Sequence, residues 1–517
     1  MQRNPLDTVL RYSIARCTPY VRCVQKRWPI VKTMASAKHA RASSPERPDD
    51  NKRTKLEDGR QRLPYNESTY TPGKLFHPGD FNPHRKDGKL PIHQLEEALA
   101  ELDERVDLRQ SKDHNVLFWM RMHDVRIDDS RGLAHASELV QDIRKRGGSS
   151  ALIVAAIISP GDMAAHDIGP RKVDFVLRAL RSVREELGEK HIPLITLTET
   201  RRTQVPERLL SLCEQLQVRE ICGNLAYGVD ELWRDAQLAR KAADRGVHVS
   251  LLHDQYIAPP LTVTKDDESA YAVFSPFCRK WAEHVGKRPH LYEASPAPEP
   301  NPETVRSDKL LGSLFVDKQY EIPSSVEGFE CDDASYMAEL WPAGRGDAMR
   351  ILNDFIDSRV FHSDLDHPNA SGDKDDERQH PRIWYYSDER NNLASNGTSR
   401  ISAYLAAGLI SSRACLRRTL DHTKRLEVSR SSGIGNWVIE LSFREFYGNV
   451  LVAWPRVSMG RAFLTNYEKV VWEYDAASLE AWQQGRTGYP IVDAAQRQLL
   501  RQGYMHNVRT CAWVFTY

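Results

Sequence analysis

Trp437, Glu440 and Arg444 fall at helical spacing. If residues 432–451 form a helix, they bring a ring, a carboxylate and a guanidinium to one face. Arg444, four residues after Glu440, could pair with it or meet a phosphate. A core Trp beside a solvated Glu fits the same spacing, and the residues alone leave both open. Thr398, Ser399 and Ser402 offer hydroxyls where a helix over 398–408 is expected to begin. Hydroxyls and backbone N–H groups there can hold an anion, although Ser and Thr at a helix start are more often ordinary caps. Val229-Asp230-Glu231 opens another expected helix, where an acid pair usually serves the helix dipole. No GxxxxGK[ST], GxGxxG, HExxH or GxSxG motif occurs, so the usual kinase, dehydrogenase and hydrolase readings lose their main support. Eight Cys without a CxxC pair point to reduced thiols and no metal site.

The elements that must position these residues divide the chain. From 115 to 254, short apolar runs alternate with helical patterns: strands at 116–119, 151–158, 192–197, 218–223 and 247–252, helices at 133–146, 171–188, 206–217 and 229–245. This alternation predicts a Rossmann-like parallel sheet over 114–254 with helices on both faces, and a default ligand crevice at the carboxyl ends of its strands. Residues 255–335 are Pro-rich and read as an irregular connector. From 336 to 517 the pattern is helical throughout, so an all-α domain is expected, with helices over 346–357, 398–408, 412–426, 432–451, 475–484 and 490–502.

The amino-terminal 93 residues read differently. Residues 1–62 carry fifteen Lys and Arg against six Asp and Glu, an excess of nine in a chain of net charge +1. Residues 1–33 are Arg-rich with Asp7 as the one acid, the signature of a mitochondrial presequence. Residues 34–93 read as a basic tail and linker resembling a nuclear-localisation segment. A helix over 94–110 follows, with Leu95, Leu99, Leu102 and Val106 at helical spacing. With 40% apolar residues, a mean hydropathy of −0.56 and no apolar run of membrane-spanning length, no membrane segment is expected. The near-neutral charge means that any nucleic-acid site must be a local patch.

Several ordered blocks closely resemble the photolyase/cryptochrome family. Trp119-Met-Arg121 with Asp124-Val-Arg126-Ile-Asp128-Asp129 resembles W-F-R-x-D-L-R-x-x-D-N of its antenna domain, with one extra residue. Tyr271-Ala-Val-Phe-Ser-Pro-Phe277 with Trp281 resembles the end of that domain. Thr398-Ser-Arg-Ile-Ser402 with Tyr404 and Gly408 resembles T-S-x-L-S-x-Y-L-x-x-G. Trp437-Val-Ile-Glu-Leu-Ser-Phe-Arg-Glu-Phe-Tyr447 resembles W-x-x-E-L-x-W-R-E-F-Y. Trp482 with Gly485-Arg-Thr-Gly-Tyr-Pro-Ile-Val-Asp-Ala-Ala495 resembles W-x-x-G-x-T-G-Y-P-x-V-D-A-A. The chain is similar above all to class I cyclobutane pyrimidine dimer photolyases of fungal type.

The resemblance implies FAD as cofactor, bound by Tyr386, Thr398, Ser399, Arg400, Ile401, Ser402, Trp437, Glu440, Arg444 and Asn507. It implies DNA contact by Arg390, Glu440, Phe443, Arg444, Tyr447 and Asn507, with Asn507 after His506 pointing to cyclobutane dimers. Trp472 matches a surface Trp of the family's electron-transfer chain. Asp230 and Glu231 match a folate antenna motif, implying 5,10-methenyltetrahydrofolate, and Met459 stands where some bacterial members add a Lys. The implied activity is light-dependent dimer repair by electron transfer from excited reduced FAD, a lyase reaction with no net redox change. The expected partner is double-stranded DNA containing pyrimidine dimers, acted on by a monomer in the nucleus and the mitochondrion.

Three departures qualify this. Phe443 replaces a Trp that stacks on the damaged bases, and Gln496 replaces a Met. After Asn507 the resemblance ends, where the family continues with further flavin-facing helices, so truncation and an inactive fragment form one alternative. A cryptochrome-like blue-light photoreceptor that repairs nothing is another.

Overall fold

The computed structural model describes residues 90–108, 111–361, 376–393, 395–423, 425–467 and 475–506. The presequence reading, the tail reading as far as residue 89, Trp472 and Asn507 therefore lie outside the described residues, while residues 91–93, read as linker, open the first helix.

Helix α1 (Pro91–Arg105) precedes strand β1 (Asn115–Met120). Then follow α2 (Arg131–Lys145), β2 (Leu152–Ile158), α3 (Pro160–Ala165), α4 (Pro170–Glu189), β3 (Leu194–Thr198), α5 (Val205–Gln215), β4 (Val218–Asn224), α6 (Val229–Asp244) and β5 (His248–Leu252). The five strands form one parallel sheet in the order β3-β2-β1-β4-β5. Strand side chains alternate between the faces. Val116, Phe118 and Met120 pack with α2 and α4, while Leu117 and Trp119 pack with α1, α5 and α6. Both faces are covered, which is why the strands read as unbroken apolar runs. The Rossmann-like expectation thus matches the α/β part. Helix α1 belongs to it as well, burying Ile92, Leu95, Ala98 and Leu102 against α6 and β5.

The strand order reverses between β1 and β4, where a ligand crevice was expected. That end is filled by polar groups that tie the sheet to the helical part. The Asn224 amide donates to Asp124 and Ser130, each at 3.1 Å. Arg413, fully buried, donates to Asp129 at 3.1 Å and to Asp254 at 2.8 Å. Arg126 pairs with Asp254, and Arg417 with Asp129 at 2.9 Å. Burial works against the Asp254 charge, but Arg126 and Arg413 outweigh it and hold the carboxyl well below its usual range. Removing one partner of such a buried network typically costs about 3–5 kcal/mol.

The connector is less irregular than its composition suggests. It contains α7 (Phe274–Gly286), which buries Phe274, Phe277, Cys278, Trp281 and Val285. The Pro-rich run is fastened by Asn301, whose amide donates to Leu152 O at 2.8 Å and His191 O at 3.0 Å. The helical part follows: α8 (Ala334–Leu340), α9 (Asp347–Asp357), α10 (Tyr386–Glu389), α11 (Ser402–Ala407), α12 (Ser412–Leu420), α13 (Gly433–Ala453), α14 (Ala476–Gln483) and α15 (Pro490–Gln502). One correction applies to its all-α reading. Two antiparallel two-residue strands, β6 (Val360–Phe361) and β7 (Asp376–Glu377), lie between α9 and α10. A pairing that short leaves no alternating signature in sequence.

Helix α13 is the spine of this part. Ser432 caps it, accepting from Gly435 N at 3.0 Å. Its other end is clamped to the chain leaving β5. Glu445 accepts from the Ile257 and Ala258 amides at 3.0 and 3.1 Å, and Asn449 accepts from Leu261 N at 2.9 Å. Gly448 is required where the Tyr256 ring crosses the helix, since a Cβ there would lie 2.3 Å from that ring. The Thr-Gly-Tyr-Pro-x-x-Asp block has a structural function. Asp493 accepts from Thr487 Oγ1 at 2.7 Å, Thr487 N at 2.8 Å and Gly488 N at 3.1 Å, folding the loop over the start of α15.

Candidate functional site

The candidate residues of α13 converge with the segment 382–402. Tyr386 is buried and meets the Trp437 ring edge-on at 5.8 Å and Phe355 at 5.5 Å. Burial pushes the Tyr386 phenol up, so it stays protonated. Trp437 is buried too, and its indole N–H donates to Thr419 Oγ1 at 3.0 Å. One turn on, Glu440 forms an ion pair with Arg390, which also donates to Asn436 Oδ1 at 3.1 Å. The Arg390 guanidinium lies 5.5 Å from the Tyr386 ring centre. One contact chain thus joins Trp437, Tyr386, Arg390 and Glu440, and the ion pair stays partly open to solvent.

Two residues behave differently from their sequence reading. Arg444 does not meet Glu440. Its guanidinium turns to Gln255 O at 2.6 Å and Ser412 Oγ at 2.9 Å, over the Tyr256 ring. Spacing set its helix face, but a carbonyl, a hydroxyl and a ring below that face took its donors. Phe443 already stacks on Phe274, with ring centres 3.4 Å apart and planes 10° from parallel. That face is closed to a base. Tyr447, next along the stack at 6.4 Å, is 64% exposed and is the open ring.

The hydroxyl segment is a loop rather than a helix start, because α11 begins only at Ser402. Gly397 lets it press against α10, since a Cβ there would sit 2.4 Å from Glu389 O. Arg382, buried and paired with Asp354 at 2.5 Å, holds the loop from beneath through the carbonyls of Asn396 and, at 3.3 Å, Thr398. Ser399 Oγ accepts from Ile401 N at 3.5 Å, and Ile401 is buried. Arg400 adopts φ 50°, a left-handed conformation that costs energy outside Gly. Its buried Nε donates no hydrogen bond, and it has no carboxylate partner among the described residues. Burial lowers its pKa. Thr398 Oγ1 lies 3.2 Å from the phenol of Tyr504. A half-buried cation with no carboxylate partner, beside several hydroxyls, suits an anionic ligand such as a dinucleotide pyrophosphate. Arg382 and Tyr504 were missed because neither lies in a block with recognisable spacing.

At the antenna motif, Asp230 pairs with Arg202, and His166 lies 3.4 Å from Glu231 and 3.9 Å from Asp230. Asp162, His166 and Glu231 bring ligand atoms within 4.8 Å of one another. Arg202 and Arg234, each 3.3 Å from Asp162, already supply positive charge there. Glu231 Oε2 is buried without a hydrogen bond and so could accept from a ligand. Met459 packs against Val229 and Trp233, placing the helical part beside this motif.

No helix among the described residues is long and apolar enough to cross a membrane. A family model for DNA photolyase matches residues 116–301, and one for the FAD binding domain of DNA photolyase matches 437–516, running past Asn507. The deoxyribodipyrimidine photo-lyase of Neurospora crassa is 32% identical over 492 residues, covering 91% of this chain and 74% of that relative. The mitochondrial deoxyribodipyrimidine photo-lyase of Saccharomyces cerevisiae is 26% identical over 412 residues, covering 76% of this chain and 66% of that relative. A solved bacterial class III photolyase from Agrobacterium tumefaciens shares the fold, with a TM-score of 0.57 at 23% identity over 77% of this chain and 71% of that one. By the identity and coverage of the Neurospora relative, and by both matching models, the chain belongs to the DNA photolyase family.

Proposed function

We propose that the chain repairs cyclobutane pyrimidine dimers in DNA, using FAD held between α13 and the 398–402 loop. The carrying observation is the convergence of Tyr386, Trp437 and the Arg390–Glu440 pair. When bound and reduced, FAD supplies an excited electron to the lesion. The residues do the rest. Thr398, Ser399 and Arg400 offer donors to the pyrophosphate. Trp437 and Tyr386 would give the flavin site an apolar side that excludes water. Glu440 is the acceptor for a pyrimidine N–H of a dimer turned out of the helix, and Arg390 holds that carboxylate in place. Tyr447 stacks on bases beside the lesion, supported by the Phe443–Phe274 pair.

Glu231 and Asp230 are the proposed hold on a folate antenna, with Glu231 Oε2 accepting from the pterin. The protein acts as a monomer in the nucleus and, through residues 1–33, the mitochondrion. Fusions of residues 1–33 and of 34–93 to a fluorescent reporter test the addresses, and light scattering of the purified chain tests the monomer.

The test of function is titration in the dark of the FAD-loaded chain with an oligonucleotide carrying one thymine dimer and with its undamaged twin. Tighter binding of the damaged strand, followed by its repair under blue light, is expected. Equal binding without repair would favour the photoreceptor reading.

A further inference from the structure

Tyr504 follows α15 and reaches back across the helical part to the 398–402 loop. Its phenolic oxygen is 3.2 Å from Thr398 Oγ1, and the Arg400 guanidinium stands 4.6 Å from its ring centre. Its own position is fixed by Trp341, whose ring lies 6.1 Å away and whose indole N–H donates to Gln502 O at 2.7 Å. The half-buried Arg400 thus has an aromatic face where a carboxylate would ordinarily be. A cation over a ring is stabilised without neutralisation, so it keeps its charge for an incoming anion. A carboxylate there would compete with that anion, and a ring does not.

We propose that Tyr504 is a positioning residue for the cofactor's pyrophosphate. Its O–H donates to Thr398 Oγ1, which leaves the threonine O–H free to donate to phosphate, and its ring holds Arg400 toward the same anion. Hydrogen bonds in such a relay strengthen one another. This rests on the reading of 398–402 as the flavin loop, and extends it to a residue 106 positions away in the chain.

The test separates the pyrophosphate from the flavin ring. Dissociation constants of FAD, ADP and riboflavin are measured by calorimetry on the full chain and on Tyr504→Phe, Tyr504→Leu and Thr398→Val. Tyr504→Phe keeps the ring and is expected to weaken FAD and ADP by about five-fold, the size of one lost neutral hydrogen bond, with riboflavin unchanged. Tyr504→Leu, losing the ring as well, should weaken ADP further. Tyr504→Phe in a Thr398→Val background should add almost nothing, because the relay is already broken. Packing alone would weaken riboflavin as much as ADP, and that result would overturn the proposal. So would unchanged ADP binding in Tyr504→Phe while the unsubstituted chain binds FAD, which leaves the flavin reading intact. If the unsubstituted chain binds neither FAD nor ADP, the flavin reading and this inference fall together.

Discussion

The Glu440 carboxylate is held by Arg390, fifty positions earlier in the chain, and not by Arg444 one turn along its own helix. The pair is only partly buried, so its contribution to stability is small, on the order of 1 kcal/mol. Its value lies in aiming an acceptor at a ligand. Arg390→Ala should lower the melting temperature little but weaken dimer-containing DNA about ten-fold at low salt, because the carboxylate left behind repels phosphate. Adding Glu440→Gln should restore part of that loss. Fluorescence anisotropy on the two single variants and the double variant checks the coupling.

Arg400 is charged, partly buried and without a carboxylate among the described residues. Replacing it with Met removes a desolvated cation and keeps the side-chain length. The flavin-free protein should melt at the same temperature or higher, while FAD binding weakens by roughly ten-fold or more. Thermal melts without cofactor, beside FAD titrations, read both effects. A variant that melts lower and binds FAD normally would remove Arg400 from the site.

Glu445 gives a pH dependence with a definite sign. Burial pushes its carboxyl up to about 7, against the pull of the Ile257 and Ala258 amides and of Arg444. Between its ordinary value near 4.5 and about 7, the folded state holds a proton that the unfolded chain has lost. Its contribution to stability is therefore full below that window and declines as the pH rises through it. Urea midpoints measured from pH 5 to pH 7 should fall more steeply for the unsubstituted protein than for Glu445→Gln, which has no proton to lose. Asp124, also pushed up to about 7 by burial, is present in both proteins and cancels in the comparison.

The antenna reading depends on Glu231 Oε2. Glu231→Gln substitutes a donor for one acceptor and should lower folate retention about ten-fold, seen as loss of the near-ultraviolet band, with FAD content unchanged. Retained folate would shift the assignment away from this motif.

How much was legible depended on whether the signal was periodic. The sheet was, because strands covered on both faces must be apolar at successive positions, as in Leu152–Ile158. Helix α13 was, from Trp437, Glu440 and their neighbours. Helix α7 carried the same signal in Phe274, Phe277, Cys278, Trp281 and Val285, but Pro276 and the Pro-rich surroundings hid it. Proline is tolerated there because it lies in the first turn of the helix. Periodicity gives a face and not a partner, so the sequence left Arg444 open between Glu440 and a phosphate, whereas its donors go to Gln255 and Ser412. Tyr504 and Arg382 left no signal at all, since their contacts with the 396–400 loop arise only in the folded chain.

The most direct measurement of the central claim is dimer splitting by the purified chain loaded with reduced FAD. An oligonucleotide carrying one thymine dimer is illuminated with blue light, and the recovery of thymine ultraviolet absorbance is followed against a dark control. We predict recovery in the light only, slowed about ten-fold or more in Glu440→Gln. Flavin bound in full, damaged DNA bound, and no recovery under illumination would contradict it.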